Sequence, residues 1–521
     1  MILSETRMPS IAGELDTLGN TARFVVGRML LWLALCGVPA TLPFRGVGTV
    51  IGLAFAGCLV AAVVGGVAWP NSGDEYSYMF LADLLRHGRI AAEAPPDPAL
   101  FESFHVLTQD GWVYSPYAPG WSALLAPFRA AGIEVLVNPL LTALLGAVLA
   151  GILARLKVGP AIRRTAVALV LLVPFTLFLG GSFFPQTLAA AVVAGIVWLQ
   201  VGDEAAPGRQ RKLAIGALFG VLLMTRYDVL AMAALPYLVD RLLIRRLAAL
   251  GDGIWVALGF LPFVVLHLGY DLVLTGSPLT LPAAWDGSGS LDAPGVTLHV
   301  RVVLALLYNL QFVGELAQFG GLPVVALALL GCVMRIRAGT CRFWDFLLPS
   351  AIVFYSFIPF SGGHQYGPRY WFWAFPVCVI TVVTAFVDTS GLLRVGSRRV
   401  QFEGFAVCCL LFGGVTFCGL LMTTRTYMHA RQAVYAEVPP MLPATVLVPD
   451  RLLVLWPWQA SAVEASSLDF TRNDPPFTGP VLYGRDDIQD SVARACRLPG
   501  RQVYRWTTGG LQHVDCRRHT T

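Results

Sequence analysis

The sequence predicts an all-α polytopic membrane protein of about eleven crossings, with short surface helices in its first exterior loop and a small α/β segment at the C-terminal end. Three observations carry that prediction. Of 521 residues, 56% are apolar and only 13% charged; runs of about 20 apolar residues recur along the chain; and the Lys and Arg residues gather in the short loops between those runs. A mean hydropathy of +0.65 excludes an ordinary soluble domain. The net charge of +5 does not indicate nucleic acid, because the basic side chains are not gathered into one patch interleaved with aromatics.

The apolar stretch 24–44 contains Arg28, Pro39 and Pro43 and is followed at once by Arg45. It reads as an interfacial or hairpin segment with a cytoplasmic N-terminus. No short basic region with a small-residue cleavage site precedes it, so a removed signal peptide is not expected. Crossings follow at roughly 47–69, 136–157, 165–184, 186–201, 213–225, 228–240, 252–273, 319–335, 344–360, 371–388 and 402–424. This register puts all five basic clusters on one side: Arg155 to Arg164, Arg209 to Lys212, Arg241 to Arg246, Arg335 to Arg342 and Arg394 to Arg399. Reading 213–240 as one tilted helix would move Arg245 and Arg246 outside and invert every later loop, so that alternative fails.

Three polar segments then face the exterior: 70–135, about 274–318, and the tail from 425 onward. The tail carries strand-like runs in DRLLVLW, GPVLYGRD and RQVYRW, with a helix-like DSVARACR among them. The expected division is an N-terminal cytoplasmic or interfacial segment 1–46, a membrane unit 47–424 and an exterior α/β tail 425–521. Of ten cysteines, Cys496 and Cys516 lie in that tail, where an oxidising exterior would let them pair; two unpaired thiols are the equal alternative.

In a chain so poor in charge, the adjacent Asp74 and Glu75 stand out, in WPNSGDEYSYMFLADLLRHG. Ser72 is a candidate N-cap, Glu75 lies three residues on as in a capping box, and Gly88 closes the segment, so the carboxylates open a surface helix. A capping role would occupy Glu75, and the helix dipole would keep Asp74 ionised without any catalytic purpose.

Arg226 is the first candidate cation. Residues 213–240 have to go out and back, yet 28 residues give only about 42 Å of helix, short for two crossings of ~30 Å. Arg226 should therefore lie below the exterior surface, facing protein or a water-filled cavity, and an internal pair with Asp228 is the structural alternative. A second cluster, SGGHQYGPRYW, holds His364, Tyr366 and Arg369 in a tight loop, where Arg369 could fork onto phosphate or serve only as an interfacial anchor. The run DGWVYSPYAPGW puts Tyr117 near the carboxylates, with His105 upstream, as sugar-lining or merely interfacial side chains. No metal-spaced Cys/His cluster and no internal repeat is visible.

The order of these features, one span, a DE pair opening a juxtamembrane helix, FHVLTQDGWVYSPYAPGWSALLAPF, then a span beginning VNPLLTALLGAV, resembles the C-type (GT-C) membrane glycosyltransferases. Within them it is most similar to bacterial relatives of dolichyl-phosphate-mannose protein mannosyltransferases and to lipid A aminoarabinose transferases; GVLLMTRYD, YDLVLTGSPL and HQYGPRYWFWAFP are further matching landmarks. The resemblance implies inverting transfer of a sugar from a polyprenyl-phosphate donor to a lipid, glycan or protein acceptor on the exterior face of a bacterial inner membrane. It makes Asp74 the essential acidic residue with Glu75 in support, and Arg226, Arg369 and His364 candidate ligands of the donor phosphate. Tyr117, His105 and Tyr366 would line the site. No cofactor is firmly implied, although Glu75 could help hold a divalent cation. O-antigen polymerases and ligases place critical Arg and His residues in a large later loop, and transporters place ionisable groups near the midplane; both fit this order of features less well.

Overall fold

The structure, a computed structural model, describes residues 46–521 except 71, 103–104, 202–207, 246–247, 286–309, 357–365, 389–394, 442–450, 457–472, 474–476, 480, 487, 508–509 and 520–521. Segment 24–44 and His364 therefore lie outside the described residues.

Helices follow the apolar runs in order: α1 (Val47–Val63), α2 (Gly73–Arg86), α3 (Gly120–Ala130), α4 (Val137–Arg155), α5 (Pro160–Leu171), α6 (Pro174–Leu179), α7 (Gln186–Gln200), α8 (Arg209–Leu223), α9 (Tyr227–Arg245) and α10 (Ala248–Thr275). After these come α11 (Leu322–Arg337), α12 (Leu347–Tyr355), α13 (Val379–Asp388) and α14 (Val395–Met441). Among the described residues three stretches are long and apolar enough to cross a membrane, Glu134–Arg155, Gly253–Thr275 and Phe402–Thr426. Val47–Val63, Gln186–Gln200 and Phe343–Tyr355 are apolar but shorter.

The breaks have local causes. Segment 165–184 divides into α5 and α6 at Pro174, where the preceding Val173 is extended (φ −83°, ψ 148°), as a residue before proline prefers. Segment 213–240 opens between Leu223 and Tyr227, which places Arg226 at a helix break. Helix α14 does not stop with its apolar stretch. Its 47 residues, about 70 Å at 1.5 Å each, exceed a hydrocarbon thickness of ~30 Å and carry the chain clear of it.

Helices α8 and α10 approach at backbone distance, because Gly216 and Gly259 leave room for the facing carbonyls of Val256 and Leu213, and Gly220 makes room for Phe263. Small residues at such contacts give close packing where lipid removes the hydrophobic drive between helices. The main core is centred on α5 to α7 and the stretch 371–383, where Phe175, Phe178, Phe184, Phe372, Trp373 and Phe375 are all but fully buried.

Between α2 and α3, strands β1 (Ala91–Glu93), β2 (Leu107–Gln109) and β3 (Trp112–Tyr114) form an antiparallel sheet in the order β1-β3-β2. Asp110 and Gly111, both left-handed, make the two-residue turn that the Asp-Gly pair favours. The tail contributes β4 (Arg451–Trp456), β5 (Val481–Arg485), α15 (Ser491–Cys496), β6 (Arg501–Thr507) and β7 (Gly510–His513), in sheet order β5-β4-β6-β7 with only the β6–β7 pair antiparallel.

This sheet does not stand apart from the loop. Leu453, Leu455, Leu482, Ala495 and Val503 share one core with Phe80, Leu81, Leu84, Leu100, Phe101 and Val106. Arg494 grips Asp97 through two hydrogen bonds of 2.7 and 2.8 Å, and Arg485 reaches Glu102 at 2.9 Å. Cys496 and Cys516 are joined in a disulfide, their Cα atoms 5.3 Å apart.

Candidate functional site

Helix α2 starts as its sequence dictates. The Ser72 hydroxyl accepts the Glu75 N–H at 3.2 Å, satisfying one of the unpaired donors of the first turn. The two adjacent carboxylates then diverge. Glu75 is fully buried, one oxygen accepting the Phe183 N–H at 3.0 Å and the other facing the Ser72 hydroxyl at 3.4 Å. Its partner Asp74 keeps 17% of its side chain exposed and turns toward the loop.

Four segments meet at Asp74. Arg369 Nη2 donates to Oδ2 at 2.6 Å, the Tyr117 hydroxyl donates a short hydrogen bond to Oδ1, and His105 Nε2 lies 3.6 Å from the same Oδ1. One turn along α2, Ser77 bonds Ser115 at 2.7 Å and the Tyr78 ring packs 4.6 Å from that of Tyr117. The strap 115–117 is thereby fastened to the helix at two points. Helix α3 follows, and the Gly120 N–H donates to the Met224 carbonyl at 2.7 Å. A Cβ at Gly120 would stand 2.6 Å from that oxygen, so only glycine lets the loop dock on the α8–α9 break.

Arg369 comes from a short 3₁₀ turn, Arg369–Trp371, after Tyr366 and Gly367 in left-handed conformation and Pro368. It is only 5% exposed, and its guanidinium lies 4.3 Å from the centroid of the Phe184 ring. Phe184 is itself held firmly. Asn138 donates to the carbonyls of Ser182 and Phe184 at 2.6 and 2.9 Å, Trp121 donates to that of Phe183 at 2.8 Å, and Glu75 takes the Phe183 N–H. Glu75, expected as a supporting carboxylate, thus braces the shelf on which Arg369 rests.

A second ion pair stands nearby. Arg226 forks onto Asp228, with Nε 2.9 Å from Oδ1 and Nη2 in a short bond to Oδ2; the Tyr355 hydroxyl donates to Oδ2 at 2.6 Å. The structural alternative for Arg226 is therefore present. Its guanidinium and that of Arg369 both lie 5.4 Å from the Tyr370 ring, on which Tyr355 stacks at 5.1 Å. Two Arg–carboxylate pairs share one aromatic wall. Tyr366 packs among Phe178 and Phe184, at 6.0 and 6.3 Å, where the latter ring also carries Arg369. Phe184, Tyr355 and Tyr370 carried no sequence signal beyond aromatic type, and Asn138 none beyond being a lone amide at the head of an apolar run, since their roles depend on contacts between distant segments.

Electrostatics follow from this packing. Burial pushes the Asp74 carboxyl up, but Arg369, His105 and the Tyr117 hydrogen bond outweigh it and bring the pKa from 3.8 to about 2. His105 is pushed below 6.5 by burial and by Arg369, against the pull of Asp74. Burial and the Asp74 charge push the Tyr117 phenol well up, so it serves as a donor. Among the described residues, no three His, Cys, Asp or Glu side chains are grouped to hold a metal ion.

The same arrangement of helices occurs in solved membrane proteins. ArnT from Cupriavidus metallidurans bound to undecaprenyl phosphate superposes with a TM-score of 0.53 at 13% identity, over 88% of this chain and 93% of that one. Its apo form gives 0.51 at 14%, over 87% and 92%. The fold is that of ArnT. The GT-C resemblance carried by the sequence landmarks therefore holds at the level of the ArnT fold. No protein-family model matches the sequence, and no curated protein does.

Proposed function

We propose that this chain is an integral-membrane, inverting glycosyltransferase that moves a sugar from a polyprenyl-phosphate carrier to an acceptor on the exterior face of a bacterial inner membrane. The observation that carries the reading is the Asp74–Arg369 pair. A partly exposed carboxylate at the start of α2 lies 2.6 Å from a nearly buried guanidinium of the Arg369–Trp371 turn, in an ArnT fold. The ArnT neighbour was crystallised with undecaprenyl phosphate, which supports the donor class.

Transfer with inversion needs an acceptor hydroxyl aligned behind the anomeric carbon and cations at the departing phosphate. Asp74 is suited to orient the hydroxyl. A guanidinium is a planar fork of five donors that can serve a carboxylate and a phosphate together, which suits Arg369; Arg226 lies across the Tyr370 ring as the second positive group. Tyr117 and His105 form the wall beside Asp74. In this reading the chain makes about eleven crossings, and residues 425–521 form an exterior unit against the first loop.

The test uses the purified full chain in lipid nanodiscs. It is offered undecaprenyl-phosphate-linked mannose, glucose, galactose and 4-amino-4-deoxyarabinose, with a bacterial envelope extract as acceptor and products identified by mass. Transfer from at least one donor, abolished by Asp74→Asn at equal folded protein, is expected. No transfer from any of them, or undiminished transfer by Asp74→Asn, overturns the reading.

A further inference from the structure

Helix α2 presents one face to the Asp74 site and another to a separate cavity. Tyr76, Phe80 and Asp83 stand at i, i+4 and i+7 on that second face, and Tyr76 is about 200° around the helix from Asp74. They meet Ala68 and Trp69 after α1, Arg129 and Glu134 at the end of α3, Phe183, and Asn473 of the tail around a partly open cavity of about 250 Å³. We propose that this cavity is a carbohydrate-binding subsite, which holds one sugar ring of a glycan acceptor away from the reacting centre. That the glycan is an acceptor rests on the sugar-transfer reading above; that a sugar binds rests on the cavity alone.

The polar side of the cavity is a fixed array of three charges. Asp83 accepts Arg129 Nε and Nη2 at 2.7 Å each, and Glu134 Oε1 accepts Nη1 at 3.2 Å. A guanidinium carries five N–H donors, so Arg129 keeps two after these three bonds. Glu134 Oε2 is buried and has no hydrogen-bond partner among the described residues, so that carboxylate keeps an acceptor. Donors held beside acceptors suit neighbouring hydroxyls, each of which gives and takes a hydrogen bond. The same array disfavours charged ligands. A phosphate would meet two carboxylates, and an ammonium would meet Arg129 and also Arg86, whose guanidinium lies 3.5 Å from Asp83.

The other walls are aromatic: Trp69, Tyr76, Phe80 and Phe183, the last three no more than 5% exposed. A pyranose ring is amphipathic in the complementary way, with C–H groups on its faces and hydroxyls around its edge. Aromatic walls and one charged edge therefore hold it in a single orientation. At ~30 Å³ per water the volume equals about eight waters, enough for one sugar ring and too little for a polyprenyl tail.

The cavity and the Asp74 site share supports. Phe183 lines the cavity while its neighbour Phe184 carries Arg369, and the Phe183 N–H and carbonyl are held by Glu75 and Trp121. Asp83 stands nine residues beyond Asp74, about 13.5 Å along α2, a distance for an oligosaccharide and not for one sugar. Asn473 brings the tail into the same wall, its amide fixed to the Tyr483 backbone at 2.8 and 2.9 Å. The tail thereby takes part in choosing the acceptor.

The test uses the full chain in nanodiscs. Saturation-transfer NMR is recorded with methyl glycosides and disaccharides of glucose, galactose, mannose and N-acetylglucosamine, and with ethanolamine; inorganic phosphate is followed by its phosphorus line width. At least one sugar should bind through its ring C–H protons. Ala68→Leu, which fills the cavity, and Glu134→Gln should each weaken that binding tenfold or more at an unchanged thermal transition, and folded Asp74→Asn should not. No sugar binding, binding that survives both cavity variants, binding lost in Asp74→Asn, or uptake of ethanolamine or phosphate alone overturns the subsite. In a second arm, transfer from the donor that the panel shows to be used is assayed against increasing envelope extract. Ala68→Leu should raise the extract needed for half-maximal rate fivefold or more, with the donor KM within about twofold. An unchanged requirement overturns the acceptor role and leaves sugar transfer intact; a wild type that uses none of the donors overturns the transfer reading and the acceptor role together, while sugar binding is decided by the first arm.

Discussion

Removing the carboxylate of Asp74 should cost stability as well as activity, and the size of that cost follows from the site. A carboxyl lowered from 3.8 to about 2 is stabilised in its ionised form by roughly 2–3 kcal/mol relative to an exposed one, at about 1.4 kcal/mol per pH unit. Asp74→Asn also leaves Arg369, 5% exposed, without its counter-charge, and breaking one side of a buried pair costs about 3–5 kcal/mol. The Phe184 face and the rest of the Arg369 shell offset part of that, so a loss of about 2–4 kcal/mol is expected. Arg369→Gln should cost a similar amount, whereas the double variant Asp74→Asn, Arg369→Gln should be much more stable than the sum of the two, because neither charge is then stranded. Equilibrium unfolding of purified protein in SDS micelles, followed by tryptophan fluorescence, measures all four states. The pH dependence has a defined sign. The folded carboxyl has the lower pKa, so the unfolded chain binds the proton first; the stabilisation is fully present above about pH 5 and disappears as pH falls through 3.8 towards 2. Additive single and double variants, or an Asp74→Asn protein as stable as wild type with the same acid sensitivity, would refute the pairing as an energetic unit.

Other perturbations test the supports of the site. Gly120→Ala should push the loop off the Met224 carbonyl, destabilising by about 1–3 kcal/mol and slowing transfer, as read by unfolding and by product mass; a neutral outcome would mean the contact yields freely. Glu75→Gln keeps the shape but weakens the charged hold on the Phe183 N–H, so a loss of about 1–2 kcal/mol with kcat reduced and not abolished is expected; complete inactivity of a folded Glu75→Gln protein would instead put Glu75 in the chemistry. Reducing the Cys496–Cys516 bridge, or Cys496→Ser, should cost about 3 kcal/mol for a cross-link spanning 20 residues, and thiol labelling should appear only after reduction; equal labelling before and after would exclude the bridge.

What the sequence discloses and what it withholds divide along a physical line. The helix opening at Ser72, the break at Arg226 and the strands of the tail are set by local chemistry: a cap, a length too short for two crossings, and short runs of apolar and β-favouring residues. Asp74, Tyr117, His105 and Arg369 were candidates on residue type and position, and the fold brings all four together. The shelf under Arg369 was not legible, because it joins Glu75, Trp121, Asn138 and Phe184 from four segments through backbone carbonyls and one backbone amide. No pattern of side-chain types announces a contact to a main chain far away. The sharing of one core by the first loop and the tail was hidden for the same reason, since each half looks like an ordinary apolar strand or helix until it meets the other.

The two adjacent acids show how one helix start can serve both stability and chemistry. Neighbouring helical residues lie about 100° apart, so Asp74 and Glu75 had to face different surroundings once α2 formed. The cap fixes which faces which: with Ser72 bonded to the Glu75 N–H, Glu75 is directed inward to Phe183 and Asp74 outward to the loop. The inward acid holds Phe184 under Arg369, and Arg369 in turn sets the charge state of the outward one. Glu75 therefore acts on Asp74 twice, through the helix that carries both and through the shelf that carries the arginine. A substitution at Glu75 should accordingly shift the pH dependence of transfer as well as its rate, which separates a brace from a bystander.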